Sequence, residues 1–279
     1  MPVKNRHTYK VHHGFTLLEL TMVLFIISLL VSGFLVPLSQ SVIQKERADT
    51  QEKLDEIKEA LYGFTVSNGR LPCPDCRSNA IGNCPGTGTA NDGIEDQDAL
   101  GNCAADTNIG AAGNVVEGNL PWVTLGTSQY DAWQSWFTYG VSDFAADEIG
   151  SGTAGCAGTE NTATLATCAT GLITIIDKGA VPAVCPVPAE ADVAQEVIAV
   201  VVSHGSNITR ATVPAATPGL IDAPVLCSET ENANQDANFV SSDFHDPQNN
   251  TNQFGIDDMI IWISPNVIKN KLIQAGRLP

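Results

Sequence analysis

The chain has 279 residues, of which 31 are acidic and 14 basic, giving a formal charge of −17. That length allows one large domain or two modest ones. The charge is uneven: residues 1–14 carry +3, 15–43 carry −1, 44–70 carry −1, 71–268 carry −21 and 269–279 carry +3. So acidic a body repels phosphate backbones, which argues against nucleic-acid binding. Its Gly-rich, charge-poor composition argues against a long coiled coil or a disordered acidic tail.

In chain order, a basic leader comes first, with Lys4, Arg6 and Lys10. Residues 15–38, FTLLELTMVLFIISLLVSGFLVPL, then form a 24-residue apolar run with one carboxylate, Glu19. As a helix it is about 36 Å long, enough for a hydrocarbon core of about 30 Å. No Ala-x-Ala-like cleavage site follows, unlike an ordinary secretory signal. The basic leader is expected on the cytoplasmic side, with everything beyond about residue 40 outside. A carboxylate within such a helix costs a few kcal/mol, roughly 2.5–3.5, so Glu19 calls for a partner or a function.

Gly14-Phe15-Thr16-Leu17-Leu18-Glu19-Leu20, after a short basic leader and before an apolar helix, resembles the signal of type IV prepilins and type II secretion pseudopilins. The resemblance implies cleavage by a prepilin peptidase between Gly14 and Phe15, and N-methylation of the new terminus on Phe15. It also implies that Glu19 pairs with the N-terminal amine of a neighbouring subunit, a compensation that makes a buried charge tolerable. The partners it implies are the peptidase, other pilin or pseudopilin subunits and an inner-membrane assembly platform. Pro37 stands one residue later than the proline usual in such helices.

Beyond Pro37 the pattern becomes amphipathic, with Leu54, Ile57, Leu61 and Phe64 on one face. Asn68-Gly69 ends it. The organisation expected is a leader over 1–14, a transmembrane and stem helix over 15–64, and a periplasmic globular domain over 65–279. In that domain, Trp136–Val141, Leu172–Asp177, Val197–Ser203 and Met259–Ile263 read as strands. Ser264, Pro265 and Gly276 frame a terminal helix. The fold class expected is α+β: a long helix packed on an antiparallel sheet with long disulfide-bonded loops.

The eight cysteines, at 73, 76, 84, 103, 156, 168, 185 and 227, all lie in the acidic body. Such confinement suggests disulfides in an oxidising compartment. Proximity suggests Cys156–Cys168 and Cys185–Cys227, with Cys73, Cys76, Cys84 and Cys103 pairing among themselves. A four-thiolate zinc site on these last four is disfavoured, because Cys84 and Cys103 make no second C-x-x-C knuckle. Asp92, Glu95, Asp96 and Asp98 crowd one loop and are candidate calcium ligands, although the spacing is not that of an EF-hand. Asp257 and Asp258 are a second candidate pair.

Ser203-His204-Gly205-Ser206 invites a hydrolase reading, with His245 as another base. Adjacency in sequence does not pair a serine with a histidine, and no G-x-S-x-G elbow exists. The phrases around Asn68–Pro74, Leu120-Pro121-Trp122, Val202–Gly205 and Asp257-Asp258 with Trp262 are similar to those of a group of large pseudopilin-like proteins. That likeness implies no chemistry. The expectation is a non-enzymatic structural subunit, minor or at the tip, of a type IV pilus or type II secretion pseudopilus. It would sit in a bacterial inner membrane by a single span, with its body periplasmic. A tip adhesin and a membrane-anchored periplasmic hydrolase are the alternatives.

Overall fold

The computed structural model of the chain describes residues 16–77, 89–98, 101–103, 107–109, 115–146, 171–177, 192–206, 232, 237–241 and 256–277, without the side chains of 31–40 and 107–109. The chain divides into two compact units, Met1–Glu46 and Arg47–Pro279. Helix α1, Leu17–Asn68, runs 52 residues and passes through Pro37. It ends at Asn68, where Asn68-Gly69 was expected to stop it: Gly69 adopts φ 81° and its N–H reaches the Thr65 carbonyl at 2.8 Å. Glycine takes that left-handed turn without a Cβ penalty.

Within the first unit, eleven large apolar side chains between Leu17 and Leu30 are 48–81 % exposed. The hydroxyls of this stretch turn inward on the helix: Thr21 Oγ1 donates to the Leu18 carbonyl at 2.9 Å and Ser28 Oγ to that of Phe25 at 2.8 Å. Its surface is therefore apolar on all sides except at Glu19. Among the described residues, no helix is long and apolar enough to cross a membrane.

The second unit is α+β. Its larger sheet has the order β1 (Thr107–Ile109), β2 (Val115–Asn119), β3 (Thr138–Ser142), β6 (Ala199–Ser203), β8 (Met259–Ile263), all antiparallel. Strand alternation sends two sets of side chains to opposite faces. Val116, Tyr139, Val141, Ala199, Val201, Ile261 and Ile263 pack in one cluster with Leu54, Ile57 and Leu61 of α1. Ile268 and Leu272 of the terminal helix α4 (Pro265–Gln274) join it. Val115, Val200 and Val202 form a second cluster with Ile173, Ile175, Val197 and Phe239. The sheet is thus covered on both faces, which explains the unbroken apolar run of β6.

The second cover is a three-stranded sheet, ordered β5 (Asp192–Val197), β4 (Ile173–Ile176), β7 (Asn238–Val240). It corrects the expectation of one antiparallel sheet, and its β4–β7 pair is parallel. The expected strand Val197–Ser203 is in fact divided. Val197 pairs with Ile173 in the small sheet, whereas Ala199 pairs with Val141 and Ile263 in the large one. The stem stripe also differs at its end: Thr65 is buried with its hydroxyl on the Leu61 carbonyl at 2.7 Å, and Phe64 is half-buried beneath the Arg70 guanidinium. Short helices α2 (Trp122–Leu125) and α3 (Asp143–Ala146) flank β3.

Candidate functional site

The N-terminal motif opens α1 with reciprocal hydrogen bonds. The Thr16 N–H and hydroxyl both donate to Glu19 Oε2 at 2.9 Å, and the Glu19 N–H returns to Thr16 Oγ1 at 3.2 Å. This is a capping box: Thr16 at the N-cap and Glu19 three positions on satisfy helix-end donors that have no intrahelical partner. The single charge of the apolar stretch therefore sits at its head, bonded within its own first turn and exposed. Thr16 was the participant that reading Glu19 alone missed; the Thr-x-x-Glu spacing carries its signal. Gly14 and Phe15 lie outside the described residues.

The prokaryotic N-terminal methylation motif matches residues 9–35, spanning the junction, the capping box and most of the apolar run. The chain carries the class III signal peptide of type IV pilins and pseudopilins. This pilin-type signal supports processing by a prepilin peptidase and assembly with other pilin subunits at a membrane. No curated protein and no solved structure matches the chain.

In the body of the chain, the fold gathers buried polar groups at one end of the large sheet. Asn119 ends β2, Thr138 begins β3, Ser203 ends β6 and Asp258 precedes β8. Arg77 enters this end with Nη1 2.7 Å from Glu117, while its Nη2 donates to the Gly118 carbonyl at 2.9 Å and to Thr138 Oγ1 at 3.0 Å. Thr138 Oγ1 is 2.8 Å from His204 Nε2. Arginine only donates, so the threonine proton is free to go to Nε2, placing the imidazole proton on Nδ1. His204 Nδ1 is 3.9 Å from Asp258 Oδ1, beyond hydrogen-bonding reach. Burial, then the Arg77 charge, push the His204 pKa down to about 3, so the ring is neutral.

Ser203 and His204 do not act on each other. Ser203 Oγ donates to Asp131 Oδ2 at 2.7 Å, while His204 meets Thr138. All four residues are buried. His245, the other base considered, lies outside the described residues. Asp257 Oδ2 accepts from the Ser206 N–H at 2.8 Å and hydroxyl at 2.9 Å, and Asp258 Oδ2 accepts from Asn232 at 2.8 Å. Gly205 has φ 67°, and a Cβ there would fall on the Asp257 carboxylate. Gly205→Ala is expected to lose about 1–3 kcal/mol by urea unfolding. Gly126→Ala, at φ 69° with open space around it, should lose less; equal losses would remove the crowding argument.

The loop proposed for calcium binds the protein itself. Glu95 takes Arg70 Nη1 at 2.7 Å and Nη2 at 3.0 Å, and also accepts the Cys73 N–H at 3.0 Å. Asp96 accepts the Cys76 N–H at 2.9 Å, Asp92 the Ile94 N–H at 2.9 Å, and Asp98 the Asn102 N–H at 2.9 Å. The carboxylates diverge to these separate donors, and among the described residues no three His, Cys, Asp or Glu side chains are placed to hold a metal ion. Asp257 and Asp258 diverge likewise.

Cys73 and Cys103 form a disulfide and Cys76 is disulfide-bonded too, which withdraws all three from thiolate ligation of zinc. Cys84, Cys156, Cys168, Cys185 and Cys227 lie outside the described residues. Between Cys73 and Cys76, Asp75 is buried and accepts the N–H groups of Asn91 at 3.0 Å and Gly93 at 3.1 Å. Its backbone exchanges hydrogen bonds of 3.0 and 2.7 Å with Asn119. The phrases around residues 73, 120, 203 and 257 thus meet at one sheet end, as supports of its architecture.

Proposed function

We propose that the chain is a structural subunit, minor or at the tip, of a type IV pilus or a type II secretion pseudopilus. It is held in a bacterial inner membrane by the apolar run 15–38, with its body in the periplasm. A prepilin peptidase cuts between Gly14 and Phe15, and the Phe15 amine is methylated. The subunit then joins its neighbours through α1 in concert with the inner-membrane assembly platform, and performs no catalysis of its own.

The observation that carries this reading is the exposed, all-round apolar surface of Leu17–Leu30, headed by the Thr16–Glu19 capping box inside the matched signal. A helix apolar on every side needs lipid or other helices around it. The capping box supports the assembly role as well, because it satisfies Glu19 within the subunit until a neighbour's amine replaces Thr16. The bulk of the body favours a minor or tip position over the repeating shaft.

Gly14→Ala decides the reading. It is expected to leave the chain at precursor mass, 14 residues longer than the mature form, and absent from sheared filaments. Glu19→Ala should be cut normally yet enter filaments at least tenfold less. Normal maturation of the Gly14 variant would overturn the proposal.

A further inference from the structure

The pairing of the cysteines runs against their order in the chain. Cys73 bonds Cys103 across a separation of 30 residues, passing over Cys76 and Cys84. Cys76 is disulfide-bonded too, and its partner is neither of the first two. With the leader inside and the body outside, the thiols reach an oxidising compartment in the order 73, 76, 84, 103. At about 5–20 residues synthesised per second, Cys103 follows Cys76 by about 1–5 s. Until it arrives, the thiol beside Cys73 is that of Cys76, which also closes the smaller loop.

A Cys73–Cys76 bond is incompatible with the finished fold, because each sulfur holds one disulfide. Nor can it be corrected late, since both cysteines are fully buried. The strap between them is pinned as well: Glu95 accepts the Cys73 N–H, Asp96 accepts the Cys76 N–H, and Asp75 exchanges backbone hydrogen bonds with Asn119. Thiol exchange needs access to the sulfur under attack, so the rearrangement has to precede closure of the body.

We propose that the body, before it folds, is a substrate of a thiol–disulfide isomerase, which converts a first-formed Cys73–Cys76 bond into the Cys73–Cys103 bond of the finished subunit. A thiol oxidase bearing a reactive disulfide makes the first bond by taking the electrons and protons of the Cys73 and Cys76 thiols. The isomerase thiolate then attacks Cys73 Sγ, and Cys76 leaves as a thiolate. The Cys103 thiolate attacks the same sulfur and expels the isomerase, while the proton lost by Cys103 is regained by Cys76. One disulfide is broken and one formed with no net oxidation, after which the oxidase joins Cys76 to its own partner. The inference rests on the proposed export of the body and goes further by naming the chemistry that export requires.

The test uses the full chain in its own cells, with and without the disulfide isomerase of that compartment. Free thiols are blocked with N-ethylmaleimide, and the unreduced chain is cut after lysine, arginine and glutamate. Leu71–Arg77 then carries Cys73 and Cys76, and Asp96–Glu117 carries Cys103 alone. With the isomerase present these two peptides are expected joined; without it, Leu71–Arg77 closed on itself should rise at least fivefold. Cys76→Ser with Cys84→Ser makes Cys73 and Cys103 consecutive, so their bond should form equally well with or without the isomerase. A native bond at parental yield in cells lacking the isomerase, or a double variant that still needs it, overturns the inference. Cysteines recovered wholly blocked would condemn the export reading too, whereas full oxidation with isomerase-independent pairing condemns only this step.

Discussion

Arg77→Met is expected to lower the stability of the body by about 3–5 kcal/mol, because it leaves Glu117 buried without its cation. The pair is close, at 2.7 Å, and the Glu117 side chain is only 2 % exposed. Glu117 lies within β2, opposite Gly140 of β3, so it cannot reach water without disturbing the ladder. The same arginine also donates to the Gly118 carbonyl and Thr138, and its loss removes those two bonds as well. Arg77→Met with Glu117→Leu removes both charges together, and should recover most of the loss. Urea unfolding of the full chain in detergent measures both variants. A single variant within about 0.5 kcal/mol of the parent would show the pair to be dispensable. In the folded Arg77 variant, the imidazole of His204 should also titrate higher, since one of the two influences depressing it is gone.

What the sequence disclosed followed the strength of local patterning. The stem stripe Leu54, Ile57, Leu61 is a helical period with nothing to compete, and those three side chains are buried on the sheet. Ser264, Pro265 and Gly276 bracket α4 as their chemistry requires, with Gly276 at φ 69°. Strands β2 and β5 escaped notice for opposite reasons. Val115–Asn119 carries a buried glutamate that only the distant Arg77 makes tolerable. Asp192–Val197 is mostly exposed and shows no apolar alternation. The division at Val197–Ala199 was illegible because one continuous apolar run serves two sheets, with the bend between them at Ile198.

The site shows the same contrast. Glu19 stood out because a charge in an apolar run is costly unless it reaches the interface or a partner, and Thr16 was recoverable from a three-residue spacing. The polar centre was not recoverable: Arg77, Asp131, Thr138 and His204 are brought together over separations of 61–72 residues in its hydrogen bonds. A crowd of carboxylates in sequence suggested calcium, yet the donors that claim them are backbone N–H groups and Arg70, which composition does not reveal. Charge along the stem was legible as near balance. That Lys53 turns to the carbonyls of Tyr130 and Asp131 while Asp49, Glu52, Asp55 and Glu56 stay exposed required the helix to be placed on its sheet.

Two buried titrating groups of the body, Asp75 and His204, should oppose each other in pH. Asp75 has its pKa pushed up to about 7, first by burial and then by the charges of Asp96 and Asp92, against the pull of the Gly93 and Asn91 N–H groups. Its unfolded value is about 3.9, so the folded state holds the proton more tightly, and this contribution to stability falls as pH rises from about 4 to about 7. For His204 the shift is the reverse, with the folded value about 3 and the unfolded about 6.5, so stability falls as pH drops from about 6.5 towards 3. Each slope is about 1.4 kcal/mol per pH unit, and between about pH 4 and 6.5 they cancel. Removing one exposes the other. Relative to the parent, Asp75→Asn should gain about 4 kcal/mol between pH 4 and 7, after whatever fixed loss the amide brings by donating where the carboxylate accepted. His204→Gln should instead gain about 3 kcal/mol as pH falls from 6.5 to 4, since glutamine keeps an acceptor for Thr138 and carries no titrating proton. Urea midpoints at four pH values settle it: differences from the parent that run parallel to the pH axis for both variants would mean neither group titrates as its burial requires.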